Sequence, residues 1–230
     1  MKININCQSI KGIEPKRYSD ENQDAFHFIL SPSGIGAICI ADGAGSKMHS
    51  KAGAQQLVKD MCEYMLKSAV ELFESDVEAI RSILMSSIMR SLDSTAQNLN
   101  ISYFELSSTF IGVLTDGKQY ISAHLGDGVV LAERIEALNV ISFPENGSNR
   151  RQTALTTMSF AEKHLRIRKE SCENINVIWV MTDGAMYEVF DDNFGLAGEK
   201  LSMSMIEKRI LNNNSDDATY GFIKWRDNNE

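Results

Sequence analysis

The sequence predicts an α+β fold on three observations. Short β-branched apolar runs recur through the chain, two long helical patterns stand side by side between the early and middle runs, and strands and helices do not alternate regularly. The 230 residues are 43% hydrophobic with only three prolines, enough chain and apolar content to bury a full core as one domain over 1–230.

Taken in order, the strand expectations are residues 36–41 (GAICIA), 108–114, 119–124, 129–132, 176–181 and 219–225, each rich in Val, Ile, Phe or Tyr. Helices are expected over 50–73 and 76–99. In the second, Ile80, Ile83, Leu84, Ile88, Leu92 and Leu99 recur at helical spacing, and Ser75 with Glu78 suits a capping box. A third helix is expected over 198–211. The polar, basic stretch 145–169 reads as a surface excursion across the end of a sheet. No internal repeat or linker divides the chain. A sheet, or a pair of sheets, covered by long helices accounts for this order.

Bulk properties exclude several function classes. A formal charge of −8 disfavours a binder of nucleic-acid phosphates, which depends on clustered Lys and Arg. Neither an apolar signal segment nor a run of roughly 18 apolar residues is present, so a soluble, unprocessed protein acting away from the membrane is expected. The four cysteines stand singly, without zinc spacing, which predicts reduced thiols and a cytoplasmic setting. Four dispersed histidines form no metal set, and the eleven methionines read as core filling.

Four Asp-Gly pairs carry the chemical signal. Alone, each is a turn, because glycine accepts positive φ and aspartate bonds its own turn. Asp116-Gly117, between two strand patterns, needs no other explanation. Asp42-Gly43 and Asp183-Gly184 differ, each following a strongly apolar strand and preceding small residues. A carboxylate at a buried strand end is held rigidly, and the adjacent glycine lets backbone approach a ligand, which suits a hard cation such as Mg²⁺ or Mn²⁺. Alone, Asp216-Asp217 before the last strand reads as a solvated acidic turn and Asp24 before AFHFIL as a cap of the strand's entry, but beside the other acidic pairs both are further carboxylates at strand edges.

In chain order, ENQDAF, CIADGAGS, HLGDGVVL, VMTDGAM and SDDATYGFI resemble the motifs of the metal-dependent protein phosphatases, the 2C-type serine/threonine family. The ADGAGS form, followed by SKAGAQQLVKDM, resembles the small bacterial branch. The resemblance implies an αββα sandwich, two antiparallel sheets flanked by helix pairs, with two Mg²⁺ or Mn²⁺ ions at one end. It implies metal roles for Asp42, the Gly43 carbonyl, Asp183 and Asp216, a third ion near Asp127, and a hydrogen bond that Asp24 accepts from metal-bound water. It further implies hydrolysis of phosphoserine and phosphothreonine on protein substrates by water activated between the two ions.

Two positions depart from the family pattern. Ser19 stands where many members carry a phosphate-binding arginine, leaving Lys16 or Arg17, with Arg17 assigned to that contact. Tyr187 stands where larger relatives carry an acidic residue that supports the third ion. The missing arginine motivates an alternative reading as a catalytically silent binding module. The short chain motivates another, as a phosphatase of a small metabolite.

Overall fold

Four layers enclose three apolar seams, and the parity of single strands shows why. In the computed structural model, which describes residues 2–14, 20–134, 137–145, 153–191, 201–213 and 215–226, β3 (Gly36–Ala41) is buried on both faces. Its Ile38 and Ile40 enter a seam between two sheets, while Ala37, Cys39 and Ala41 face helices. This two-sided burial explains why the run lacks polar alternation.

One sheet has the order β2-β3-β4-β5-β8, with β2 (Ala25–Leu30), β4 (Phe110–Thr115), β5 (Gln119–Leu125) and β8 (Arg166–Ser171). The other has the order β1-β10-β9-β6-β7, with β1 (Lys2–Ile10), β6 (Val129–Arg134), β7 (Leu138–Ser142), β9 (Ile175–Met181) and β10 (Ala218–Arg226). All pairings are antiparallel. Helices α1 (Ser50–Lys67) and α3 (Val77–Leu99) cover the first sheet. Helices α5 (Asp183–Val189) and α6 (Met203–Asn213) cover the second, where Val129, Leu131, Trp179 and Tyr220 meet Met186 and Ile206. The expected αββα sandwich is therefore the fold. Each fully buried Leu, Ile or Phe in these seams contributes about 1.5–3 kcal/mol.

Several local expectations are corrected. The helix expected over 50–73 breaks at Ser68 into α1 and a short α2 (Ala69–Glu74). The cap of α3 is Asp76, whose carboxylate accepts the Ala79 N–H at 2.8 Å; Ser75 instead donates its hydroxyl to the Glu71 carbonyl, so the Ser75–Glu78 capping box does not form. The stretch expected to be an excursion contains the short helix α4 (Ala161–His164) and ends in β8, an edge strand. Only Ile167 of RIRKES is buried, and such charge on an edge strand discourages further pairing, which hides the strand from an apolar search. Strands β1 and β7 and helix α5 also escaped expectation. The N-terminal part of the third expected helix lies outside the described residues, and α6 supplies its remainder.

All four cysteines are buried and unpaired. Among the described residues no helix is long and apolar enough to cross a membrane.

Candidate metal centre

Five carboxylates gather at one end of the sandwich because their strands end there. Asp42 follows β3 and is clamped from both sides of its backbone: its N–H donates to the Thr109 hydroxyl at 2.9 Å, and its carbonyl accepts the Thr109 N–H at 2.8 Å. Gly43 then donates its N–H to the Gln23 carbonyl at 3.2 Å. A Cβ at Gly43 would stand 2.7 Å from that carbonyl oxygen, so the close approach requires glycine.

Asp24 precedes β2, its N–H donating to the Asn22 side-chain oxygen at 2.9 Å. One carboxylate oxygen accepts the Thr182 hydroxyl at 2.8 Å; the other is buried and has no hydrogen-bond partner among the described residues. Thr182 is itself fixed across β9 and β10, its hydroxyl accepting the Thr219 N–H at 2.9 Å and its own N–H donating to the Thr219 carbonyl at 2.9 Å.

Asp183 opens α5. The next residue, Gly184, sits so close to β10's entry that an added Cβ would meet the Asp217 carbonyl oxygen at 2.1 Å. The Asp216-Asp217 pair divides its labour. Asp216 is exposed and faces the cluster electrostatically, whereas Asp217 is 2% exposed and accepts the Gly12 N–H at 2.9 Å and the Gln23 N–H at 2.6 Å. Asp217 thus joins the loop after β1 to the first acidic motif.

Asp127, between β5 and β6, accepts a hydrogen bond from the Thr153 hydroxyl. Beside it the Gly126 carbonyl accepts from Arg166 at 2.9 Å and from the Glu145 N–H at 3.0 Å, while Arg166 also pairs with Glu145. Asp127 is therefore already served by protein groups.

The electrostatics tie these side chains together. Burial, followed by the carboxylates of Asp24, Asp183, Asp127 and Asp216, holds Asp42 well above the usual carboxylate range. Asp183 is pushed up to about 8, by burial first and then by Asp127, Asp24 and Asp216. Asp24 rises to about 6, burial outweighing the Thr182 hydrogen bond. Burial also raises Asp127 against the pull of Thr153. Such crowding of like charge favours neutralisation by proton or cation.

The donor set is oxygen alone, as hard divalent cations prefer, and the unpartnered Asp24 oxygen leaves room for a further donor. The residues present thus fit Mg²⁺ or Mn²⁺. Among the described residues, no three carboxylate, histidine or cysteine side chains converge tightly enough to enclose a single ion. Arg17, with Lys16 and Ser19, lies outside the described residues. His124 does not join the cluster: buried, with its charged form disfavoured, it bonds Ser142 at 2.8 Å.

Thr109, Thr153, Thr182 and Asp217 are the structural partners that sequence reading missed. A threonine at a buried strand end beside an Asp-Gly pair was the available signal for Thr182. Nothing in the sequence separates Asp217 from Asp216.

The family model for protein phosphatase 2C matches residues 15–218. No curated protein sequence matches the chain. Among solved structures, the chain is similar to a bacterial serine phosphatase, at 14% identity and a TM-score of 0.70, with 99% of this chain and 100% of that one covered. It is also similar to the serine/threonine phosphatase Stp1 from Staphylococcus aureus, at 13% identity and a TM-score of 0.72, covering 99% and 96%. The serine/threonine phosphatase of S. agalactiae is similar at 14% identity and a TM-score of 0.67, covering 97% and 100%. At these identities the likeness is one of fold.

Proposed function

The chain belongs to the protein phosphatase 2C family, and from that membership we propose that it hydrolyses phosphoserine and phosphothreonine on proteins with the help of two Mg²⁺ or Mn²⁺ ions. Asp42, the Gly43 carbonyl, Asp183 and Asp216 are the groups that would hold them. The observation that carries this reading is the gathering of Asp24, Asp42, Asp127, Asp183 and Asp216 at one end of the sandwich, where burial and neighbouring carboxylates raise Asp42 and Asp183 together. A structural role alone gives no reason to crowd carboxylates in this way.

When bound, such cations activate water for in-line attack and offset charge on the phosphoryl oxygens. The chain's own residues supply the rest. Thr182 holds one Asp24 oxygen and leaves the other without a protein partner among the described residues, where it would accept a hydrogen bond from the attacking water. Thr109 fixes Asp42 by its backbone, so the carboxylate keeps its direction without drawing on its own oxygens. Arg17 is the assigned contact for the substrate phosphate. Asp127, one of whose oxygens accepts the Thr153 hydroxyl, is where a third ion would sit. The setting we assign is cytoplasmic, with phosphorylated protein as the partner.

Purified protein assayed on a phosphothreonine peptide and on para-nitrophenyl phosphate, with Mn²⁺ or with chelator, tests the reading. Hydrolysis of both with Mn²⁺, lost with chelator and in Asp42→Ala, is expected. Absence of hydrolysis under every metal condition would overturn it.

A further inference from the structure

A groove of about 390 Å³ leads away from Asp24 between the entry of β2 and α1. Lys51, Gln55 and Lys59 line one wall, spaced four residues apart and therefore stacked along one face of α1. His27, on the α1 face of β2, and Phe26, 37% exposed on the strand's other face, also border the groove. At the inner end stands Asp24, 6% exposed, with its unpartnered oxygen.

The charge of this groove runs against that of the molecule. The chain carries −8 overall, yet both ionic side chains on the α1 wall are lysines. Lys51 is paired with Glu21 at 2.7 Å, but Glu21 is 69% exposed, and a solvated ion pair of that kind contributes little and exchanges partners readily. Lys59 makes no ion pair among the described residues. Lys51 and Lys59 lie about 12 Å apart along the helix, the reach of about four residues of extended chain.

We infer that this groove seats the acidic side of an extended phosphopeptide, with carboxylates two to five residues from the phosphoresidue meeting Lys51 and Lys59. The inference rests on the phosphatase reading and assigns that site a substrate class: segments that are acidic on one side of the phosphate. A neutral or basic flank leaves the lysines unmatched and forgoes the attraction. Because the contacts are solvated, the preference shrinks as salt rises.

The test measures binding separately from turnover. Fluorescence anisotropy of labelled peptides carrying a non-hydrolysable phosphonate analogue of phosphothreonine, flanked by Glu on one side or by Lys at the same positions, is read with wild-type protein in Mn²⁺, where nothing is consumed. The Glu peptide is expected to bind at least about fivefold more tightly. In the double variant Lys51→Glu/Lys59→Glu, with folding checked by thermal melting, the preference is expected to reverse toward the Lys peptide. Equal affinities in the wild type, or an acidic preference that survives the double reversal, would overturn the inference. Failure of the phosphatase reading would show elsewhere, as absent hydrolysis of para-nitrophenyl phosphate with Mn²⁺.

Discussion

Thr182 and Asp24, 158 positions apart in the chain, meet through a 2.8 Å hydrogen bond that fixes one oxygen of the carboxylate and leaves the other open. The same Thr182 hydroxyl accepts from Thr219, so the first and last acidic motifs are braced by one side chain. Thr182→Val keeps the shape and removes the hydroxyl. We expect a loss of about 1–3 kcal/mol in urea unfolding and a fall in kcat, with Thr182→Ser close to wild type. A fully stable and active valine variant would remove Thr182 from the account.

The adjacent aspartates should separate by assay. Asp217→Ala leaves the N–H groups of Gly12 and Gln23 without their acceptor and should destabilise the protein by about 3 kcal/mol or more, with or without metal. Asp216→Ala should instead abolish activity and weaken Mn²⁺ binding measured by calorimetry, while the chelated protein keeps its melting temperature. Interchanged phenotypes would reverse these assignments.

Glycine at 184 is a packing requirement. A methyl group there would meet the Asp217 carbonyl, so Gly184→Ala should cost about 1–3 kcal/mol as the start of α5 is displaced. Gly45→Ala is the control, its nearest neighbour being the Gln23 side-chain oxygen at 3.7 Å. Melting curves of the two variants should differ clearly.

Stability should depend on pH in an uncommon direction. A carboxylate whose folded pKa is raised binds more protons when folded than when unfolded, so its contribution is lost as pH rises toward the folded pKa. For Asp183 that window runs from the ordinary value of 3.8 to about 8. His124, with its folded pKa depressed, adds the opposite slope only below about 6.5. Between pH 6.5 and 8 the melting temperature of the chelated protein should therefore fall, and saturating Mn²⁺ should remove the fall by supplying the charge that protons supplied. A rise over that interval in chelator would contradict the crowding of these carboxylates.

The sequence revealed elements whose apolar residues face two seams at once. β3 is fully apolar because Ile38 and Ile40 serve one layer and Ala37, Cys39 and Ala41 another, and its expected bounds match the structure. β8 was hidden because an edge strand with Ile167 as its sole buried residue has no period to detect. The same contrast holds at the site. Asp42 and Asp183 stood out because each ends a buried strand beside a glycine. Asp217 looked identical to Asp216, since which of two neighbouring carboxylates turns inward depends on a loop more than 190 positions away.

The pairing of β1 with β10 joins residues 2–10 to residues 218–226, and the Ser9 and Thr219 hydroxyls bond across a separation of 210 positions. During synthesis, β1 leaves the ribosome long before its partner exists. Until β10 emerges, one edge of the second sheet stays open and Gln23 has no Asp217 to hold it. Closing so long a loop is slow. The nascent chain therefore carries Asp24 and Asp42 through most of translation without the last motif that joins them, and the full acidic cluster exists only at the end of folding.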